Sequence, residues 1–403
     1  MKMKMKLLDT DLKNKVLKTM EELLDRGREE LIRANQRDLQ AFDRDDRALY
    51  DRLVVDGEKV DQMITAVREV RQQEDPVNRE ISTKDLDNGL RIINKTAPFG
   101  TIMIIYESRP DVTVEAAVLA FKANNRILLK GGKEATHSNR ALVDLWHRAL
   151  KAHQLDPELI QLLEMDRVRT RAFLKNPDQD LDLIVPRGGE RLIQFVKEHA
   201  KCAVLVSGRG NNFLYVHHKA DWQKCLKVIL NAKTQKISAC NALDKILLDS
   251  RIEGFEEKLR ELHGQLTDHG VSILVDQKVK TVLDQADQIR DEGPWDEEFL
   301  AMKCLIGAVD SLESAIGMIN RHSGGHSTSI MTEDPTTALI FMENVDSAAV
   351  YQNASTRFTD GGQMGVGAEL AISTDKLHHR GPLGLKELVT NKYYIFGDGQ
   401  VRV

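Results

Sequence analysis

A single cysteine, Cys240, lies in the stretch ISACNALDKILLD (237–249), where a short polar loop gives way to an apolar run that reads as a strand. A thiol in such a loop is a candidate nucleophile, because its thiolate can form and be reached. A free cysteine is more often a small packing residue, and the other three fit that description. Cys225 shares one helix-like face with Trp222, Leu226, Ile229 and Leu230, Cys202 opens the run CAVLV, and Cys304 sits inside AMKCLIGAV.

Two further stretches combine glycines with cations. LLKGGKEA (128–135) places Lys130 and Lys133 at a strand-to-helix turn, and VPRGGERL (185–192) repeats the arrangement with Arg187, Gly188 and Gly189. Exposed backbone N–H groups beside such cations can hold an anion such as phosphate; plain turns with solvated cations are the commoner case. Neither stretch is a P-loop, and no G-x-G-x-x-G follows a strand. YESRP (106–110) also follows a strand, and the proline keeps Arg109 out of helical geometry. NASTRFTDGGQMGVGAE (353–369) is dense in glycine and small polar residues and carries Arg357, Asp360 and Glu369. Such a loop can wrap a small polar ligand or simply be an excursion. The histidine pair in HHRGP (378–382) lacks metal-ligand partners at helical spacing, so no metal site is expected.

The elements that must position these residues follow from periodicity. Residues 8–75 carry helical stripes, such as Val16, Leu17, Met20, Leu23 and Leu24, and read as a helical lead-in. An Asp-Asn-Gly turn at 87–89 between two polar-apolar runs reads as a hairpin. From residue 98 strands and helices alternate: strands at 101–106, 126–132, 181–189 and 203–211, and helices at 112–123, 138–153 and 189–199. A second series runs helix 221–233, strand 245–249, helix 252–268, strand 271–275, helix 277–286, strand 304–310, helix 311–320 and strand 328–332. This alternation predicts an α/β chain with mostly parallel, doubly wound sheets. The Gly-rich tract 361–367 is expected to be a long loop.

Composition narrows the function. The chain has 403 residues, enough for about two or three domains, with 41% hydrophobic and 30% charged residues. A net charge of −5 gives no global field to recruit nucleic acid or an anionic membrane. Four cysteines without CxxC spacing argue against a disulfide framework or a zinc site. The start MKMKMKLLD has no apolar region behind its charges and does not read as a signal peptide. No run long enough to span a membrane occurs, so a cytoplasmic location is expected.

Taken together, six stretches resemble the γ-glutamyl phosphate reductases of the aldehyde dehydrogenase superfamily. They are APFGTIMIIYESRPDVT (97–113), KGGKEATHSN (130–139), DLIVPRGG (182–189), ACNALDKILL (239–248), VYQNASTRFTDG (350–361) and GVGAELAISTDKLHHRGPLGL (365–385). The resemblance covers nearly the whole chain. It implies an aldehyde-dehydrogenase-like fold: a Rossmann-like cofactor domain (1–78 and 100–219), an α/β catalytic domain (220–385) and a small β oligomerisation element (79–99 and 386–403). It also implies Cys240 as the nucleophile and NADP(H) as the cofactor. Lys130 and Glu134 match the turn that contacts the adenosine ribose and its 2′-phosphate, Arg187, Gly188 and Gly189 the turn near the pyrophosphate, and Glu298 the glutamate that binds the nicotinamide ribose.

The activity implied is reduction of glutamyl 5-phosphate to glutamate 5-semialdehyde through a cysteine thioacyl intermediate, with a homo-oligomeric assembly and a possible glutamate 5-kinase partner. Oxidising relatives carry a glutamate that activates water; the matching stretch AVLVSGRG (203–210) holds no acid, which suits exchange with phosphate. Candidate groups for the glutamyl amino and carboxylate ends are Arg109, Ser355 and Arg357. Asp111, Asn212, Phe213 and Asp244 depart from the family's usual Asn, Cys-His and Glu. Two alternatives stand beside this reading: an NAD-linked aldehyde dehydrogenase on the same fold, and a silent partner of the kinase.

Overall fold

A computed structural model describes residues 6–42 and 47–402; the lysine-rich start at residues 1–5 lies outside them. The chain divides into two compact units. The first runs to Val206 and also takes Gly365–Ala371 and the chain from Leu383 onward. The second comprises Ser207–Met364 and Ile372–Pro382.

The first unit is built on a five-stranded parallel sheet. Its spatial order is Ile160–Leu162, Arg126–Lys130, Thr101–Tyr106, Leu183–Arg187 and Ala203–Val204. The interiors of the three central strands are apolar because both faces are covered. Ile102, Ile104, Ile127, Leu129 and Val185 pack with the helices Thr10–Arg26, Gly57–Gln72, Pro110–Lys122 and Thr136–Ala152. The alternate residues Met103, Ile105, Leu128 and Ile184 pack with Phe173, Phe195 and Val196 on the other face. From Thr101–Tyr106 the chain first winds outward through Arg126–Lys130, then returns to place Leu183–Arg187 on the opposite side. The carboxyl ends of these central strands therefore flank a topological switch point, the usual ligand crevice of an open α/β sheet.

The expected hairpin forms as Glu80–Asp85 paired antiparallel with Arg91–Pro98, and Gly89 takes a positive φ of 84° in its turn. Val389–Phe396 adds to the free side of Arg91–Pro98. The resulting three-stranded sheet exposes Ile81, Tyr393, Ile395 and Phe396.

The second unit holds a seven-stranded parallel sheet, ordered Asp287–Gln288, Ser272–Val275, Lys303–Val309, Leu243–Asp249, Asn212–Val216, Ser327–Met331 and Ala349–Gln352. Leu214, Ile246, Leu248 and Ile306 pack with Ile229, Leu259 and Leu262 on one face, while Phe213, Tyr215, Leu247 and Leu305 pack with Ile319 and Phe341 on the other.

Several elements depart from expectation. Asn212–Val216 is an interior strand, hydrogen-bonded between Leu243–Asp249 and Ser327–Met331. The compact division falls after Val206. The strand expected over 203–211 shortens to Ala203–Val204. The helix expected over 277–286 stops at Lys280, whose ammonium reaches back to the carbonyls of Asp284 and Ala286 and closes the chain into turns. Helices Arg167–Lys175 and Pro335–Asn344 and strand Ala349–Gln352 were not anticipated. Among the described residues no helix is long and apolar enough to cross a membrane.

Candidate active site

In the second unit, helix Trp222–Thr234 ends in a loop that carries Cys240 into strand Leu243–Asp249. Cys240 is the exposed cysteine of the four; Cys225 and Cys304 are buried and Cys202 is half-buried. Burial pushes the Cys225 thiol up to about 12 and the Cys304 thiol up to about 11, and raises that of Cys202. A thiolate is costly at each of those three positions, which leaves Cys240 as the nucleophile candidate.

The loop is pinned by buried amides. Asn212 Nδ2 lies 2.8 Å from the Cys240 carbonyl, 2.7 Å from that of Ala242 and 2.9 Å from that of Gly210. Its Oδ1 accepts from Ser327 N–H at 3.0 Å. Asn241 Nδ2 donates to the Thr359 carbonyl at 2.8 Å, and Thr356 Oγ1 donates to the Asn241 carbonyl at 2.8 Å. The loop 353–369 is thereby docked onto the cysteine loop. Ser355 is buried, and its hydroxyl accepts from Arg357 N–H at 3.3 Å, capping the turn that presents Arg357. The Arg357 Nε donates to Gln235 Oε1 at 3.0 Å, while its buried Nη1 has no hydrogen-bond partner. Burial lowers this guanidinium from its ordinary value, and the charges of Cys240 and Asp360 oppose that shift.

Glu298 joins the same corner. A Cβ on Gly210 would stand 2.0 Å from the Cys240 carbonyl oxygen and 2.6 Å from Glu298 Oε1. Only a residue without a side chain fits between them. The second unit thus brings together Cys240, Glu298 and Arg357, with Ser355 behind Arg357.

The remaining predicted residues fall in the first unit, at the strand ends of its switch point. Lys130 ends strand Arg126–Lys130, and its Nζ donates to the Gly131 carbonyl at 2.8 Å. Burial lowers its pKa, opposed by Glu134 and Glu107. Glu134 Oε1 accepts from Ser108 N–H at 2.7 Å and from Ser108 Oγ at 2.8 Å. Arg187 ends strand Leu183–Arg187, and Gly188 and Gly189 lead into helix Glu190–His199. The Gly189 N–H donates to Glu107 Oε2 at 3.1 Å. A cleft of about 900 Å³ opens here, lined by Tyr106, Lys130, Lys133, Glu134, His137 and Leu192. Arg109 precedes helix Pro110–Lys122 and bonds Asp111 Oδ2 at 3.1 Å, with Lys59 3.6 Å from the same oxygen. Burial works against the Asp111 carboxylate, but Arg109 and Lys59 outweigh it and hold its pKa below the ordinary value.

The profile of the aldehyde dehydrogenase family matches residues 2–270. The chain belongs to the aldehyde dehydrogenase family. It is 40% identical over 403 residues to a γ-glutamyl phosphate reductase of Persephonella marina, covering 98% of this chain and 90% of that one. The crystal structure of the Thermotoga maritima γ-glutamyl phosphate reductase superposes with a TM-score of 0.92 at 40% identity, covering 98% of this chain and 95% of that chain. An acetylating aldehyde dehydrogenase from Geobacillus thermoglucosidasius has a TM-score of 0.71 at 17% identity, covering 98% and 94%, a likeness of fold.

Sequence reasoning assigned no role to Gly210, Asn212 or Asn241, which shape the Cys240 loop. Asn212 stood out as a departure, and its burial at a strand start, which gives it its role, is not visible in the sequence. Among the described residues one cluster has metal-ligand chemistry, His217, His218 and Asp249, at the carboxyl ends of strands Asn212–Val216 and Leu243–Asp249. Its carboxylate is saturated by protein donors. Asp249 accepts from Arg251 N–H, Nε and Nη2 and from Tyr215 O–H, and His218 Nδ1 lies 3.0 Å away. Arg251 supplies the cation there.

Two tests follow from this geometry. Iodoacetamide should label Cys240 at least about tenfold faster than Cys225 or Cys304, read by peptide mass spectrometry, because those two thiols resist ionisation. Faster labelling of either buried cysteine would overturn the assignment. The second concerns His217, where burial, then the neighbouring His218, lowers the pKa to about 4. An unfolded histidine titrates near 6.5. Below that pH the unfolded chain binds a proton that the folded chain refuses, so stability falls as pH drops from about 6.5 toward 4. Urea midpoints at pH 7 and pH 5 should therefore differ less in His217→Gln than in the parent.

Proposed function

We propose that this chain catalyses reduction of γ-glutamyl phosphate to glutamate 5-semialdehyde with release of phosphate, the second step of proline biosynthesis from glutamate. The observation that carries this reading is 40% identity over nearly the full length to relatives named for that reaction. The exposed Cys240, alone among four thiols in its surroundings, supports it.

In this mechanism the Cys240 thiolate attacks the acyl carbon. The carbon–oxygen bond to phosphate breaks, phosphate departs, and a thioester remains on Cys240. The Cys240 backbone N–H is a candidate donor to the oxyanion. After reduction the carbon–sulfur bond breaks, the aldehyde leaves and the thiolate is restored. Arg357, with its unpartnered Nη1, is suited to an anionic group of the substrate. Ser355 is buried and acts through Arg357. Arg109 remains a candidate for the glutamyl end, with its guanidinium shared with Asp111. Residues 203–210 contain no acid to activate water against the thioester.

A nicotinamide cofactor bound to this chain would supply the hydride. The residues present fit it. The cleft carries two lysines for an adenosine phosphate, and Arg187 ends the strand that the Gly188-Gly189 turn joins to helix Glu190–His199, a cation suited to a pyrophosphate. Glu298, beside the Cys240 loop, is the residue we assign to the nicotinamide ribose. NADP(H) is the favoured form. Lys130 and Lys133 line the cleft, whereas Glu134 Oε1 is already taken by two donors from Ser108.

The test is an assay of purified protein with glutamate semialdehyde, phosphate and each nicotinamide cofactor. Phosphate-dependent reduction of NADP is expected, abolished in Cys240→Ala. Activity without phosphate would select an NAD-linked aldehyde dehydrogenase, and none a silent partner. Lys130→Ala should cost NADP selectivity by roughly 10–100-fold in kcat/KM, the range of a lost charge-assisted hydrogen bond. A parent enzyme that prefers NAD would sink the cofactor assignment.

A cytoplasmic homo-oligomer completes this proposal. Val389–Phe396 is an edge strand whose Tyr393, Ile395 and Phe396 are exposed, and such an edge invites pairing with a second chain. Removing residues 391–403 should shift sedimentation toward monomer or leave the protein insoluble. An unchanged profile would refute the role of this strand.

A further inference from the structure

Three charged side chains are fully or nearly fully buried beneath Glu298. Lys233 and Lys245 are both 0% exposed and Asp244 is 2% exposed. Lys233 Nζ bonds Asp244 Oδ1 at 2.9 Å, and the other carboxylate oxygen accepts from Phe299 N–H at 2.9 Å. Lys245 Nζ donates to the Glu297 carbonyl at 2.7 Å and stands 3.7 Å from the centre of the Phe299 ring. Lys303 Nζ lies 4.6 Å from the same ring. The backbone on both sides of residue 298 is therefore held by the side chains of Lys245 and Asp244, and the next side chain lies against two lysine amino groups. Immediately beyond, Leu300 takes a positive φ of 47°, so the chain turns sharply where the grip ends.

We propose that Lys233, Asp244 and Lys245 are positioning residues, a buried clamp that fixes the Glu297–Phe299 backbone and holds the Glu298 carboxylate beside the Cys240 loop. The proposal rests on the reading of Glu298 as the ribose ligand. The energetics favour a positional role over a purely stabilising one. Burying charges costs several kcal/mol per ion in general, and apolar replacements of such networks are often as stable. What an apolar cluster cannot do is bond the carbonyl of residue 297 and the N–H of residue 299 at the same time. Asp244 and Lys245 open the strand that directly follows the cysteine loop, so one segment sets both Cys240 and Glu298. Burial lowers the Lys245 ammonium to about 8, with Asp244 opposing that shift.

The test compares the parent with Lys245→Met, Glu298→Gln and the double variant. One readout is hydrogen exchange of the peptide containing residues 297–299, and the other is the Kd for NADPH measured by fluorescence. Lys245→Met should speed exchange of that peptide. Each single variant should weaken NADPH binding by about fivefold or more, with no further loss in the double, because Lys245 acts only through Glu298. Unchanged exchange in Lys245→Met overturns the clamp, as does an additive double variant. A Glu298→Gln enzyme that binds NADPH like the parent overturns the ribose role instead. Should Lys245→Met fail to fold, Phe299→Leu removes the gripped ring, leaves the Lys233–Asp244 pair and the Lys245–Glu297 carbonyl bond in place, and is read by the same two measurements.

Discussion

One buried carboxamide organises the second unit. Asn212 is 0% exposed, and its Nδ2 faces three backbone carbonyls, those of Gly210, Cys240 and Ala242. The Cys240 and Ala242 carbonyls lie just before strand Leu243–Asp249 and that of Gly210 just before Asn212–Val216, and buried carbonyls without partners are expensive. A polar side chain on the neighbouring strand settles the account, and the geometry of the cysteine loop follows from it. Replacing Asn212 by an apolar residue would take a donor away from the Cys240 and Ala242 carbonyls and an acceptor from the Ser327 N–H. The interior place of Asn212–Val216 in the sheet is what makes this amide available.

The same logic runs through the two sheets. Each buries both faces, so side chains along the strands alternate between two apolar layers. Polar chemistry is pushed to strand ends. In the first unit the carboxyl ends gather Glu107, Ser108, Lys130 and Arg187, with Glu107 and Glu134 bonded to backbone N–H groups of the neighbouring loops. In the second unit Cys240 sits before its strand, while the saturated Asp249 cluster closes the other end. Cys304, on a strand flank, donates its thiol to the Asp244 carbonyl at 3.3 Å and is spent as a packing donor.

These facts explain what could be read from the residues and what could not. The alternation of apolar runs and helical stripes is a local property, so both α/β series, the hairpin and the fate of three cysteines were legible. NFLYV (212–216) was harder, because a short apolar run between an asparagine pair and a histidine pair is equally a loop entry or a strand. Its status depends on strands Leu243–Asp249 and Ser327–Met331, far along the chain. Ser355 and Arg357 look alike as polar loop residues, yet packing buries the first as a cap and leaves the second with an unpartnered nitrogen. Asp244 and Lys245 read as ordinary strand-edge charges until tertiary contacts show what they grip.

Glycine shows the same divide at its sharpest. The chain has 26 glycines, and their spacing marks turns without ranking them. Gly264 and Gly317 have nothing within 4 Å of an added Cβ; side chains there would cost little sterically. At Gly132 a Cβ would lie 2.0 Å from Glu134 Oε1, and at Gly188 it would lie 2.4 Å from Glu107 Oε2. Gly210 separates the Cys240 carbonyl from the Glu298 carboxylate by no more than its own backbone. At Gly132 and Gly188 the obstacle is the end of a flexible glutamate, which can move aside, whereas at Gly210 it is first the Cys240 backbone carbonyl, which cannot. The glycine that matters most is therefore the one where distant backbone has moved into the place of a Cβ, and that follows from how distant segments pack rather than from turn composition.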